Sequence, residues 1–219
     1  MSSSDDQHTV KILSRRQLSE DTIVLRFERP FDFIPGQFIR VGLPDLEGSR
    51  EYSIYSAVED DAMEVLLKEI PQGDLSPSLC DCFPGDFLTV QGPFGWFRLP
   101  PENRDDIQFI FVATGTGISP FHSMTLSYPD LQYQILHGVS FSHQLYEAGD
   151  YPSEAWTSCV TRDELGAYQG RVTEYLKEME LNERQRFFFC GNSEMIFESF
   201  QLLSDRGVTE DRMQAEIYF

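Results

Sequence analysis

The stretch DIQFIFVATGTGISP, residues 106–120, is where the sequence changes from one structural pattern to another. A continuous apolar run leads into a glycine-rich turn, and a helical pattern follows the turn. Farther along, apolar runs such as LQYQILHGV (131–139) and RQRFFFCG (184–191) alternate with helical patterns such as RVTEYLKEME (171–180). Because strands that alternate with helices indicate βαβ units, this part of the chain is predicted to form a parallel α/β domain.

The first hundred residues predict a different architecture. About six short runs rich in β-branched and aromatic residues are separated by turn signals such as Pro84-Gly85, a spacing typical of a closed antiparallel barrel or a sandwich. The linker LPPENRDD (99–106) carries two prolines that can continue neither kind of element. We therefore predict two domains, residues 1–100 and residues 101–219.

One short helix interrupts the strands of the first domain. The segment SPSLCDCF (76–83) is predicted to begin a helix with Ser76 as its N-cap and Pro77 at the first helical position.

Composition excludes several classes of function. The 219 residues carry a net charge of −19, which disfavours nucleic acid and anionic membranes as partners. No apolar stretch approaches the ~20 residues that a membrane span needs. The polar N-terminus is unlike a secretory signal, so a cytoplasmic protein is expected. The cysteines have no spacing typical of disulfide frameworks, zinc sites or iron–sulfur clusters; they are Cys80, Cys82, Cys159 and Cys190.

The loop GTGISP (115–120) indicates a nucleotide site. Glycines let the backbone approach a ligand closely, and the start of a helix offers free N–H groups to a phosphate. Pro120 stands where the dinucleotide fingerprint has its third glycine. Taken alone, the loop fits a plain tight turn equally well, but the strand before it and the helix after it favour the nucleotide site.

Two segments of the first domain suggest a ligand that combines a phosphate with a flat ring. In REYS (50–53), Arg50 and Tyr52 share one side of a strand, so a guanidinium lies beside a phenol face. LSPSL (75–79) opens the short helix and leaves amides for an anion. The alternatives are a surface ion pair beside a half-buried tyrosine, and an N-cap with no ligand.

Five segments together resemble a known family. REYS, LSPSL, GTGISP, FCGN (189–192) and AEIYF (215–219) are similar, in order and spacing, to the ferredoxin–NADP reductase family, in particular the FAD-containing bacterial type that ends in two aromatic residues. The resemblance covers nearly the whole chain. It implies a six-stranded antiparallel FAD-binding barrel, followed by a Rossmann-like NADP-binding α/β domain whose C-terminal aromatic tail returns to the flavin.

The resemblance also assigns residues to the FAD. They are Arg50 at the pyrophosphate with Glu51 beside it, Tyr52 stacked on the flavin, Ser53 near its reactive nitrogen, Leu66 against the ring, Asp74, Leu75 and Ser76 at the phosphates, Thr116 between the two cofactors, Tyr218 on the second flavin face, and Phe219 near the adenine.

A second set is assigned to NADP and to catalysis. Thr116, Gly117, Ser140, Arg162 and Arg171 would bind NADP, and Ser53, Cys190, Glu216 and Tyr218 would act in catalysis. Close relatives often carry an arginine for the 2′-phosphate where this chain has Ser140. The simpler interpretations are that Cys190 is an inert buried thiol and that Glu216 is an exposed strand residue. The histidines match no ligand spacing and are assigned structural or surface roles; they are His8, His122, His137 and His143.

The resemblance implies a monomeric flavoenzyme that exchanges electrons between NADPH and ferredoxin or flavodoxin. Two alternatives stay open: a reductase of free flavin or ferric chelates, and an electron-transfer subunit of a larger complex. Because such carriers are generally acidic, docking would need a local basic patch. The candidates are Lys11, Arg15, Arg16, Arg26 and Arg40.

Overall fold

The computed structural model describes residues 6–101 and 104–218, in two compact units. The barrel unit comprises the residues up to Leu99 together with Ser119–Pro129, and the sheet unit comprises Pro100–Ile118 and the residues from Asp130 onward. The segment after the glycine loop therefore groups with the barrel unit, whereas the domain boundary at residue 100 stays a prediction.

The barrel unit contains six antiparallel strands, in the order β4-β3-β6-β1-β2-β5. Their bounds are β1 His8–Ser19, β2 Thr22–Glu28, β3 Phe38–Gly42, β4 Arg50–Ser53, β5 Ala62–Lys68 and β6 Phe87–Phe94. The edge strands meet where Ile54 bridges Val65 and the Tyr55 amide donates to the Glu64 carbonyl at 2.8 Å. The sheet thus closes on itself, which confirms the predicted antiparallel barrel.

Strand β5 shows how the barrel sorts its side chains. Val65 and Leu67 point into the apolar core, whereas Glu64 lies on the other face. Glu64 is only 6% exposed, and both of its carboxylate oxygens accept from the Arg16 guanidinium at 2.8 and 3.2 Å. Arg26 approaches the same carboxylate at 3.7 Å. A buried carboxylate without these partners would be strongly destabilising, so Arg16 and Arg26 have a structural role.

Helix α1 (Ser76–Cys80) does not begin as the sequence predicted. Leu75 occupies the N-cap position without a side-chain cap, and Ser76 is the first helical residue, followed by Pro77. The Ser76 hydroxyl accepts from the Ile70 amide at 3.0 Å and lies 3.4 Å from the Ile70 carbonyl. The prediction of Ser76 as N-cap is wrong. Its hydroxyl instead pairs with the backbone of Ile70 in the preceding turn, where the Ile70 amide needs a partner.

The sheet unit is built on six parallel strands, in the order β10-β9-β8-β7-β11-β12. Their bounds are β7 Gln108–Thr114, β8 Tyr133–Val139, β9 Trp156–Val160, β10 Tyr168–Gln169, β11 Gln185–Gly191 and β12 Met213–Ile217. The helices are α2 Ser119–Ser127, which groups with the barrel unit, α3 Val172–Glu178 and α4 Ser193–Asp205. Strands β7 and β11 are buried along nearly their whole length, as their continuous apolar sequences predict.

Helix α2 is attached to the barrel unit by polar and aromatic contacts. The His122 Nδ1–H donates to the Tyr55 carbonyl at 2.8 Å, and the two rings stack at 3.8 Å between centroids. The Ser123 hydroxyl donates to the Ser56 carbonyl at 2.7 Å. All these residues are buried, so α2 supplies hydrogen-bond donors to two carbonyls of the barrel unit that water does not reach. Among the described helices, none combines the length and apolarity required to cross a bilayer.

Candidate functional site

Strand β4 presents the REYS residues as the alternation predicted. Arg50 pairs with Val41 and Tyr52 with Ile39 of the neighbouring strand, so both side chains share one face. Glu51 lies on the other face, where it accepts from Arg40 Nε at 3.1 Å. Glu51 is therefore already in an ion pair and does not join Arg50 and Tyr52. The strand ends at Ser53.

Arg50 is available to an anion. Its side chain is 51% exposed, with Nη2 only 3.4 Å from the Asp74 carboxylate and Nη1 3.1 Å from the Ser49 carbonyl. A long contact to a side chain that is 94% exposed is weak, because water screens it. The structure thus places Asp74, in the loop before α1, beside the Arg50 guanidinium without blocking it.

Tyr52 is held more firmly. Its half-buried ring packs against the barrel core. Burial raises the pKa of Tyr52 to about 12, with the nearby Cys80 thiol adding to the shift and Arg50 opposing it. The phenol is therefore neutral. Ser53 and Leu66, each 3% exposed, lie on β4 and β5, and Leu75 is equally buried at the start of α1. An exposed guanidinium beside a rigid aromatic ring fits a ligand with a phosphate and a flat ring system.

The carboxyl edge of the parallel sheet forms a second candidate site. The chain proceeds from β7 through β8 and β9 to β10 in one direction, then returns to place β11 and β12 on the other side of β7. Ligands bind in such sheets outside the carboxyl ends of the strands, at the point where this direction reverses. Between β7 and β11, that point holds the turn Gly115–Ile118, which includes the half-buried Thr116.

The glycine loop is packed closely on its neighbours. A Cβ atom at Gly117 would lie 2.3 Å from the Cys190 carbonyl oxygen of β11, so only glycine fits there. Gly115 has φ +54°, and its carbonyl accepts from the His137 Nε2–H of β8 at 2.9 Å. The Asn192 amide donates to the Thr114 hydroxyl at 2.9 Å. The sequence assigned His137 only a structural or surface role, and it included Asn192 only as part of FCGN, although an asparagine directly before a helical pattern is a recognisable N-cap signal.

Ser140, Arg162 and Arg171 follow the ends of β8, β9 and β10, so the structure brings them to the same edge. The Arg162 amide donates to the Ser140 carbonyl at 2.8 Å, and the exposed Arg162 guanidinium lies 5.7 Å from the Phe141 ring centre. Arg171 is exposed immediately before α3, where its amide donates to Glu174 at 2.8 Å.

Asp163 is a charged neighbour that the sequence analysis missed. Its carboxylate accepts from the Ser142 amide at 2.7 Å and from the Leu165 amide at 3.1 Å. The Ser142 amide is the main cause that lowers the pKa of Asp163, despite slight desolvation. An ionised carboxylate therefore lies next to Arg162 in sequence and fixes the loop after β8.

Cys190, Glu216 and Tyr218 are brought together at the ends of β11 and β12. Cys190 pairs with Glu216 in the parallel register, and the Tyr218 amide donates to the Gly191 carbonyl at 3.0 Å. The Tyr218 hydroxyl hydrogen bonds to the Cys190 thiol. Burial, and secondarily Glu216, raise the pKa of the Cys190 thiol well above its usual value. Cys190 is thus a neutral thiol rather than a thiolate. Phe219 lies outside the described residues.

Known proteins share both the first domain and the fold of this chain. Residues 9–99 match the family model described as the oxidoreductase FAD-binding domain. The fold also matches the crystal structure of a ferredoxin NADP+ reductase from Neisseria gonorrhoeae with bound FAD and NADP, with a TM-score of 0.86 and 26% identity, over 97% of this chain and 99% of that one. The chain therefore contains an oxidoreductase FAD-binding domain, and its fold matches a ferredoxin–NADP+ reductase, as the sequence resemblance implied. FAD is accordingly the cofactor that the matched domain and this structural neighbour indicate.

Two curated relatives that the chain matches are longer than the chain itself. The toluate 1,2-dioxygenase electron transfer component of Pseudomonas putida is 28% identical over 88% of this chain, which spans 62% of that protein. The aromatic O-demethylase reductase subunit of an Amycolatopsis strain is 23% identical over 95% of the chain, which spans 68% of it. The chain therefore corresponds to about two thirds of each of these reductase components.

Proposed function

We propose that this protein passes electrons from NADPH, through bound FAD, to a one-electron carrier protein. One observation carries the proposal: at the point where the sheet reverses direction, the glycine loop, Cys190 and Glu216 come together. Gly117 packs on the Cys190 carbonyl, and Cys190 pairs with Glu216. This arrangement supports a nicotinamide site beside a neutral thiol and a carboxylate.

In this proposal the barrel unit holds the FAD. Arg50 binds the pyrophosphate, Tyr52 stacks on the flavin, and Ser53 hydrogen bonds near its reactive nitrogen. Leu66 contacts the ring. Asp74, Leu75 and Ser76 follow the phosphates through backbone groups, since the Ser76 hydroxyl is already bonded to Ile70. The flavin, once bound, can accept two electrons together as a hydride and release them one at a time.

The sheet unit binds the nucleotide. Thr116 and Gly117 carry the backbone that approaches the pyrophosphate, and Cys190 and Glu216 border the nicotinamide. Tyr218 covers the flavin face where the nicotinamide must arrive. NADPH is preferred over NADH because Arg162 and Arg171 are exposed cations at the edge where a 2′-phosphate would lie. Ser140 supplies a hydroxyl in place of a third cation.

The carrier is a small acidic protein such as ferredoxin or flavodoxin. Of the five cations proposed for docking, Arg16 and Arg26 pair with Glu64, and Arg40 pairs with Glu51. Lys11 and Arg15 form no ion pair with any residue in the described part of the chain. These two are the remaining candidates for steering an acidic carrier.

A second candidate function is the reductase component of an oxygenase system. One observation favours it: the similarity to the electron transfer component of a toluate 1,2-dioxygenase, at 28% identity over 88% of this chain.

Anaerobic stopped-flow mixing tests the proposal. NADPH should bleach the bound flavin, and oxidised ferredoxin or flavodoxin should then restore its colour. If only free flavin or ferric chelates reoxidise it, and FAD is lost during gel filtration, the free-flavin reductase alternative holds. If neither NADPH nor NADH reduces the flavin, the proposed function is wrong.

A further inference from the structure

Strand β8 carries a buried histidine directly beneath the glycine loop. The His137 side chain is 0% exposed, and its Nε2 lies 2.9 Å from the Gly115 carbonyl oxygen. Because a carbonyl oxygen can only accept, Nε2 must carry the proton and donate it. This bond links β8, the strand beside β7, to the first residue of the loop.

The remaining surroundings of His137 are aromatic. Its ring meets Trp156 edge-on at 5.2 Å and lies 6.2 Å from Tyr146. Nδ1 is buried and has no hydrogen-bond partner among the described residues. Burial lowers the pKa of His137 to about 4, against the bond to Gly115, so the ring is neutral at physiological pH. An unpaired buried acceptor is unfavourable, and a leucine would avoid it, so core packing does not account for the imidazole.

The bond to Gly115 also determines where the next amide points. In a trans peptide, the carbonyl of one residue and the N–H of the next point in opposite directions. With the Gly115 carbonyl directed toward β8, the Thr116 N–H faces the opposite way. On the other side of the loop, Gly117 rests on the Cys190 carbonyl. The loop is thus fixed between the two strands that flank β7.

We propose that His137 is a positioning residue that holds the glycine loop in its nucleotide-binding conformation. This inference rests on the proposed nucleotide site, but the orientation of the loop is a property of the protein without nucleotide. His137 acts through Gly115 and touches no substrate. Since the loop faces the pyrophosphate that NADPH and NADH share, the effect should be the same for both nucleotides.

Two substitutions separate the hydrogen bond from the volume of the side chain. His137→Leu fills the cavity without a donor, whereas His137→Gln keeps an N–H near the position of Nε2. His137→Leu should raise the KM for both NADPH and NADH about tenfold, the effect of one hydrogen bond. His137→Gln should recover most of this loss. The FAD content and the ratio of the two KM values should match the parent.

Hydrogen exchange measured by mass spectrometry, without nucleotide, tests the loop itself. Residues 115–118 should exchange faster in His137→Leu than in the parent, and His137→Gln should be close to the parent. The proposal is overturned if His137→Leu lowers the melting temperature but keeps parental exchange in the loop, or if Gln behaves like Leu. If the parent flavin is reduced by neither nucleotide, the proposed function fails, while the exchange experiment still decides the role of His137.

Discussion

Both candidate sites place an arginine beside an aromatic ring, but they support the pair differently. Arg50 and Tyr52 belong to one strand, and the Tyr52 ring packs against the barrel core. Arg162 and Phe141 belong to two loops at strand ends and meet at 5.7 Å. A ring fixed by a core can stack on a cofactor that stays bound, whereas a pair on loops can adjust to a nucleotide that enters and leaves in every turnover. The flavin side is expected to be rigid and the nucleotide side adjustable.

Acid should distinguish the two units most strongly. The folded sheet unit keeps His137 neutral, with a pKa of about 4, whereas an unfolded histidine has a pKa of about 6.5. Below pH 6.5 the unfolded state therefore binds more protons, and stability falls as the pH drops from 6.5 toward 4. The loss from this group is on the order of 3 kcal/mol, and it is absent above pH 6.5.

The two tryptophans allow this loss to be measured in the sheet unit. Trp156 packs on His137, and Trp96 belongs to the barrel unit. In a Trp96→Phe background, denaturant titrations followed by Trp156 fluorescence should show the acid-induced loss. Adding His137→Leu should flatten the pH dependence of the free energy of unfolding. The carboxylates contribute equally with and without this substitution, so the difference reports His137. An unchanged slope would show that His137 does not titrate as its burial implies.

Arg50→Ala tests the rigid site. Removing a charge-assisted phosphate contact should weaken FAD binding by roughly 1.5–3 kcal/mol, measured by reconstituting the apoprotein and following flavin fluorescence. Arg40→Ala is the matched control, because Arg40 is on the neighbouring strand and pairs with Glu51 on the opposite face. Equal weakening in both variants would mean that Arg50 does not bind the pyrophosphate.

Arg162→Ala and Arg171→Ala test the adjustable site. Each should raise the KM for NADPH about tenfold and leave that for NADH unchanged, since only NADPH carries the additional phosphate. Lys177→Ala, on the exposed face of α3, is the control for a general loss of positive charge. Equal losses with both nucleotides would show that the arginines do not recognise the 2′-phosphate.

Tyr218→Ser should produce a smaller change, of several-fold, in nucleotide preference. A ring contributes ~0.5–1.5 kcal/mol through stacking, so its removal should let nicotinamide bind the oxidised flavin more tightly and strengthen the long-wavelength charge-transfer band. Discrimination against NADH should fall. Tyr218→Phe keeps the ring but loses the bond to the Cys190 thiol, and should retain the parental preference. If Tyr218→Ser changes only the melting temperature, the residue merely covers the core.

Salt should have the smallest effect. If Lys11 and Arg15 steer an acidic carrier, carrier reduction should slow by a few-fold as salt increases, because exposed charges are screened beyond about 8 Å at physiological ionic strength. Lys11→Gln should reduce this dependence, and Lys68→Gln, whose lysine pairs with Asp21 at 3.2 Å, should not. A rate that rises with salt would instead show that the net charge of −19 controls the encounter.

The predictable parts of the molecule were those encoded by local pattern. Alternation placed Arg50 and Tyr52 on one face, and apolar runs identified the parallel strands. The position of Ser76 was not predictable, because its bond to Ile70 depends on how the preceding turn closes. Cys190 and Glu216 lie far apart in sequence and become neighbours only through the register of β11 and β12. The proposed role of His137 was not predictable, because a polar residue inside a strand usually has only a packing role.

The attachment of α2 to the barrel unit has a consequence for how the protein is made. The barrel is not complete until Pro129 has been synthesised, because α2 supplies the donors for the Tyr55 and Ser56 carbonyls. By then β7 and the glycine loop have already been synthesised, at about 5–20 residues per second. The barrel unit can therefore be completed only after Pro100–Ile118, the first part of the sheet unit, has been synthesised. A fragment ending at Leu99 would leave those two buried carbonyls without their donors.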